Sequence, residues 1–288
     1  MEARLIDQQQ LVTGTLTSFN GFNFGQDVPY VYGEAKRILN LATSELRLHQ
    51  SLKQDLQMNP SLPGRPAITG QDDDRVWDFL QIESADESKA FTDCPHLTLG
   101  ITDRQVEAMV TVPNGIKRAY RRNLINLGQA GFRGVLREIL HRMEPLVKDC
   151  PGAEPRCSAV QRRYPSQRSV PFVDARLEFD LRTGFDDIGP PKTQPQWIDV
   201  LYDCLTNNNS NYQFQVGVWF PYRTCPSIRT AVALEFIADA WIACRPLIDV
   251  MLYQRWNFLT LIGFANQIVS DSKLAKEICH VWSHSATR

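Results

Sequence analysis

No Walker A loop, no G-x-G-x-x-G, no G-x-S-x-G elbow and no EF-hand loop occurs in the sequence. Their absence disfavours the standard nucleotide-binding and α/β-hydrolase classes, while an enzyme with dispersed working residues stays compatible with it. There is also no C-x-x-C pair, and the seven cysteines (Cys94, Cys150, Cys157, Cys204, Cys225, Cys244, Cys279) are odd in number and scattered. A disulfide framework is more often even in number and dense in a shorter chain. Reduced thiols in a cytoplasmic protein are therefore expected, with a Cys150–Cys157 bridge as the alternative. Charge of one sign is lacking too: the formal net charge of −1 gives no overall push towards polyanions or membranes. The most apolar stretch, Ala231 to Cys244, is interrupted by Glu235 and Asp239 and is too short to cross a bilayer. The opening segment MEARLIDQQQLVTG has no basic stretch followed by an apolar run, so no secretory signal is expected.

What is present is ordinary for a globular chain. Hydrophobic residues make up 43% and charged residues 22% of the 288, enough for a sizeable core in one large domain or two small ones. From about Tyr30 to Met58, Ile38, Leu41, Leu48 and Leu52 recur at helical spacings, which predicts one long helix packed across the body. The Pro- and Gly-rich stretch 59–74 reads as a loop. It divides an N-terminal helical segment (1–70) from an α+β domain (71–288) with C-terminal helices; a single domain 1–288 is the other arrangement.

Strand signals follow at Val76–Ile82, Leu97–Thr102 and Gln105–Val112, then at Arg156–Tyr164, Pro171–Arg182 and Tyr212–Phe220. Helical patterns cover about 115–148, broken near Leu127–Gly131, and Trp197–Thr206. A further helix, Ile228–Cys244, has Ser227 as its N-cap, and Pro246 should kink or end it. The last forty residues also read as helical. Hairpins outnumber βαβ units, so the fold class is α+β: a mainly antiparallel sheet of about six strands with helices packed on one face.

The strand at Pro171–Arg182 alternates without exception. Val173, Ala175, Leu177, Phe179 and Leu181 point one way; Asp174, Arg176, Glu178, Asp180 and Arg182 point the other. Asp174, Glu178 and Asp180 thus share one face, where Gln213 and Gln215, or His96 and Thr98, join them if their strands are neighbours. Clustered carboxylates can bind Mg²⁺ or divide acid and base roles. Interleaved arginines can also neutralise them without a metal, as on a solvated strand face. His96-Leu97-Thr98 is similar to one half of the signature of the two-histidine phosphoesterases, in which one His is general base, the other general acid, and the hydroxyls hold the phosphate. The second half is missing, because no His lies between His141 and His280 and His280-Val-Trp-Ser283 is spaced one position too far. Cys279, His280 and His284 have helical metal-ligand spacing but no third ligand nearby in sequence. No metal site and no cofactor is assigned.

Charge is unevenly distributed. From Lys117 to Arg168 twelve basic residues face four acids, a net of +8 in a chain of −1. Arg118 and Arg122, and Arg133, Arg137 and His141, are four apart and form helix stripes. Arginine suits bidentate phosphate contacts. The leading expectation is accordingly a polyanion-binding protein, its ligand nucleic acid or a phosphorylated molecule. Lys117, Arg118, Arg121, Arg122, Arg133, Arg137, Arg162 and Arg163 would make the contacts. One alternative is a phosphoester hydrolase using His96, Asp174, Glu178 and Asp180. Another is a structural subunit of an assembly, or a homo-oligomer, meeting its partner through the 30–58 helix.

Overall fold

The computed structural model describes residues 19–24, 30–56, 68–69, 75–82, 94–113, 119–162, 173–185, 196–206 and 212–253. Within these, only the backbone is described at Ile68, Thr69, Ala119, Arg162, Val173, Asp174, Ala175 and Tyr253. The described residues up to Leu252 group into one compact unit.

A seven-stranded sheet carries the fold: β1 (Ile68–Thr69), β2 (Arg75–Gln81), β3 (His96–Thr102), β4 (Gln105–Val112), β5 (Glu154–Arg162), β6 (Val173–Asp180) and β7 (Tyr212–Pro221). Its order is β1-β2-β3-β4-β7-β5-β6, and every neighbouring pair is antiparallel. The six expected strands are all found within a few residues of their expected ends, and the two-residue β1 adds one edge. The late strand β7 inserts beside β4, so the hairpin β5–β6 is carried on the outer side of β7.

Period-two alternation explains why the sheet has two unlike faces. Val76, Leu80, Leu97, Leu99, Ile101, Val106, Ala108, Val110, Phe214, Val216, Val218, Cys157 and Ala159 fall on one side by register and are buried. The helices lie on that side. Helix α1 (Tyr32–Leu46) packs on β2 and β3, and α6 (Ala233–Ala243) on β4 and β7. The long α4 (Gly128–Asp149) packs on β5, with Phe132 against Phe214. Trp241 of α6 is wholly buried.

Two helices depart from the sequence expectation. The 30–58 helix is interrupted: α1 ends at Leu46 and α2 (Gln50–Asp55) begins four residues later. Leu48 and His49 donate to carbonyls only three residues back, and His49 is extended, with ψ at 123°. The break lets Leu46 and Leu52 both be buried and turns the His49 ring to the Glu235 carboxylate at 3.0 Å. The buried side chains of α1, among them Ile38, Leu39 and Ala42, pack against the sheet. Near 228 the chain forms a 3₁₀ turn, Pro226–Arg229, with Ser227 inside it rather than capping a helix. Pro246 then sits in the first turn of α7 (Arg245–Tyr253), where its missing N–H costs nothing. The remaining helices, α3 (Ala119–Asn126) and α5 (Trp197–Thr206), lie where the periodicity puts them.

The cysteines require a correction. Cys150, at the end of α4, is bonded to Cys225, 75 residues on, with Cα atoms 6.4 Å apart. Cys157 is instead a free, buried residue of β5. No spacing in the sequence shows that the end of α4 and the turn after β7 meet. Among the described residues no helix is long and apolar enough to cross a membrane.

A buried carboxylate stands on the helix side. Asp78 is buried on β2, and burial raises its carboxyl above the usual range, against the pull of the Phe79 N–H, Thr43 and Arg47. A raised folded value means the folded chain holds this proton more tightly than the unfolded one. The stability Asp78 contributes is then present at acid pH and lost as pH rises through its raised value. Asp78→Asn should remove that loss, and its denaturation midpoint at neutral pH should equal or exceed the wild type's.

Candidate functional site

The other face of the sheet is largely polar, with Phe79, Met109 and Val160 among its apolar residues, and register puts its residues in straight rows. One row reads Gln81, His96, Thr111, Gln215, Ser158, Glu178 across six strands, without one apolar side chain. Its middle is tied together: Thr98 and Thr111 share a hydrogen bond of 2.7 Å, and Gln215 donates to the Thr111 hydroxyl at 2.7 Å. His96 is buried; its Nδ1 donates to the Cys94 carbonyl at 2.9 Å, which leaves Nε2 as the acceptor nitrogen in the neutral ring.

The next row but one reads Trp77, Gly100, Glu107, Trp219, Glu154. Arg75 reaches over Gly100 to the Glu107 carboxylate at 2.6 Å, and Gln105 donates to the same carboxylate at 3.1 Å. Gly100 has no side chain to obstruct this; a Cβ there would lie 3.1 Å from Glu107 Oε2. Farther along, Arg156 lies 4.8 Å over the Trp219 ring and donates to Glu154 at 2.6 Å. At the sheet edge Arg182 holds Asp180 in two bonds, of 2.9 and 2.5 Å. Asp180 is therefore held below the usual carboxylate range by Arg182, which outweighs an opposing desolvation. Glu178 is raised: desolvation dominates, with Arg176 and Arg156 opposing and Glu107 adding.

Exposure divides this face. His96, Thr98, Glu107 and Thr111 at its centre are buried, as is Ser158. Gln213, Trp219, Arg156, Arg176, Glu178 and Asp180, on β7, β5 and β6, are partly or fully exposed. Accessible residues of this face thus lie on both flanks of the buried centre: Arg75, Trp77 and Gln81 on β2, and the group on β7, β5 and β6.

The geometry separates groups that the sequence proposed as one site. His96 and Glu178 share a row but stand four strands apart, about 19 Å at ordinary strand spacing. No single bond can be within reach of both. Asp174 lies on β6 at an irregularity in its pairing with β5, and its side chain is outside the described residues. Among the described residues no three His, Cys, Asp or Glu side chains come close enough to hold a metal ion. Cys279, His280 and His284 lie outside the described residues.

No family model matches this chain. A search of curated proteins finds no relative either.

The basic segment resolves into unlike parts. Lys117, Arg118 and Arg163 are outside the described residues, and Arg162 is described by its backbone alone. Arg133 is paired with Asp199 at 3.3 Å and with Gln196. Arg137 lies 5.2 Å over the Phe185 ring, Arg142 is paired with Glu138, and Arg122 is exposed. Arg121 is 1% exposed and belongs to the interior, not to a surface stripe. Helical periodicity places it correctly on α3 but does not say which way that short helix faces. What sequence reading missed is Trp219. Trp219 stands on β7 in plain view, but only strand order shows that it lies beside Arg156.

Proposed function

We propose that the chain binds single-stranded nucleic acid on the exposed β7–β5–β6 half of its polar sheet face. The observation that carries this reading is the Trp219–Arg156 stack. Planar rings beside guanidinium groups on an antiparallel sheet form a surface on which bases stack and phosphates pair. The basic segment contributes here through its strand, because Arg156 of β5 lies on the same face as Arg176 of β6. Gln213 and Gln215 add amide donors and acceptors farther along the same face of β7.

Charge sets the expected character of this binding. Glu154 already holds Arg156, so a phosphate exchanges one anion for another, and stacking supplies most of the affinity. With at most three arginines engaged, the salt slope for a single strand is no steeper than about −2. A labelled oligonucleotide titrated at several salt concentrations measures it. No binding at low salt would refute the reading, and a slope of about −5 or steeper would move the site to the helices.

Glu178 gives a second readout. Its raised carboxyl takes up a proton at higher pH than an ordinary glutamate, removing a negative charge from the face. Affinity should therefore rise as pH falls through its raised value, and Glu178→Gln should raise affinity about threefold at neutral pH and flatten the profile. A hydrolase using Glu178 would instead lose turnover in the same variant.

A further inference from the structure

Arg121 is the most unusual cation in the described chain. It extends from α3 into the interior and is 1% exposed, yet among the described residues no carboxylate pairs with it. Its Nη1 donates to the Tyr212 carbonyl at 2.7 Å, which anchors one side of the guanidinium. Nε and Nη2 are buried and have no hydrogen-bond partner among the described residues. Burial lowers its pKa to about 10, with the nearby Cys204 thiol opposing, so it stays charged at neutral pH.

The two orphan donors are not an arbitrary pair. Nε and Nη2 lie along one edge of the planar group, the edge that matches the two oxygens of an oxyanion in parallel bonds. A buried charge left unpaired is costly, and native interiors rarely keep one. The site around it is firmly held. Tyr202 of α5 donates to the Ile125 carbonyl at 2.9 Å, and Asn123 donates to the Met251 carbonyl at 2.8 Å, so α3 is tied to two helices. Cys204, at the end of α5, shares a hydrogen bond with the Tyr212 hydroxyl. Helix α3 is thus fixed with its arginine pointing an unused fork inward.

From this geometry we propose that Arg121 is the recognition group of an internal site, among α3, α5 and the start of β7, for a small carboxylate ligand. A carboxylate supplies two coplanar oxygens and a single charge, matching one guanidinium. A phosphate dianion would need a second cation, and none of the described residues brings one to Arg121. The site stands apart from the sheet face and does not depend on nucleic-acid binding.

Thermal unfolding of the full chain in sodium formate or acetate tests this, against sodium chloride and inorganic phosphate at matched ionic strength and neutral pH. The midpoint should rise saturably with formate, beyond its rise in chloride or phosphate, as for a ligand that binds only the folded state. Arg121→Met should abolish that difference while unfolding in chloride at or above the wild-type midpoint, since it removes an unpaired buried charge. Arg121→Lys keeps the charge without the two-donor edge and should lower the apparent formate affinity about tenfold or more. A formate response identical in the wild type and Arg121→Met overturns the proposal, as does a wild type that responds no more to formate than to chloride. Equal stabilisation by phosphate overturns the ligand class. Should Arg121→Met not fold, the wild-type Arg121 Nε–H resonance decides: a saturable shift with formate supports the site, and an unmoved resonance overturns it.

Discussion

Replacing Trp219 and Arg156 together by alanine is expected to weaken single-strand binding about ten- to a hundredfold while leaving the fold in place. The magnitude follows from what is removed. Stacking of one base on an aromatic ring is worth about 1–3 kcal/mol, and each 1.4 kcal/mol is about tenfold in affinity. Arg156 adds a cation–π contact with the ring and a phosphate partner. Each residue alone should account for only part of the loss, because Arg156 positions the ring and the ring positions Arg156, so the two effects are not additive. Both are only part-buried, and Glu154 is left with solvent access, so the urea midpoint should move little. Fluorescence anisotropy with a labelled oligonucleotide measures the affinity, and circular dichroism checks the fold.

Gly217→Ala is expected to destabilise the protein by about 3 kcal/mol or more, through the backbone rather than through a lost contact. Gly217 lies on β7, opposite Met109 on one side and Arg156 on the other. A Cβ at this position would overlap the Ala108 carbonyl oxygen and stand 2.7 Å from Met109 Cα. Backbone atoms of a central strand cannot move aside cheaply, so the β4–β7 pairing itself must shift. Trp219 is two residues farther along the same strand, so the ligand face is disturbed with it. Urea unfolding should show a lower midpoint with an unchanged slope. Gly33→Ala in the first turn of α1 is the control: nothing lies within 4 Å of its Cβ, and no loss of stability is expected.

Much of this architecture was legible in the residues. Alternation such as that of Val173–Arg182 reports a half-buried strand whatever its partners, and all six strands read this way are present. Helix positions were less secure wherever a break serves a distant partner. The interruption at Arg47–His49 exists because His49 meets Glu235, 186 residues on, and no local pattern carries that. The Cys150–Cys225 bond and the row from Gln81 to Glu178 are of the same kind, since both depend on strand order. Composition does not say where each charge is placed. The net +8 of residues 117–168 suggested a basic surface. In the fold Arg121 is interior, while Arg133, Arg142 and Arg156 each have an acidic partner.

The most direct test of the sheet-face reading is a site-resolved cross-link. An oligonucleotide carrying bromouracil, irradiated in complex with the full chain, couples to an aromatic side chain stacked on the modified base. Peptide mass spectrometry should place the adduct on Trp219. Adducts confined to the arginine-bearing helices α3 and α4, with none on β7, would contradict it.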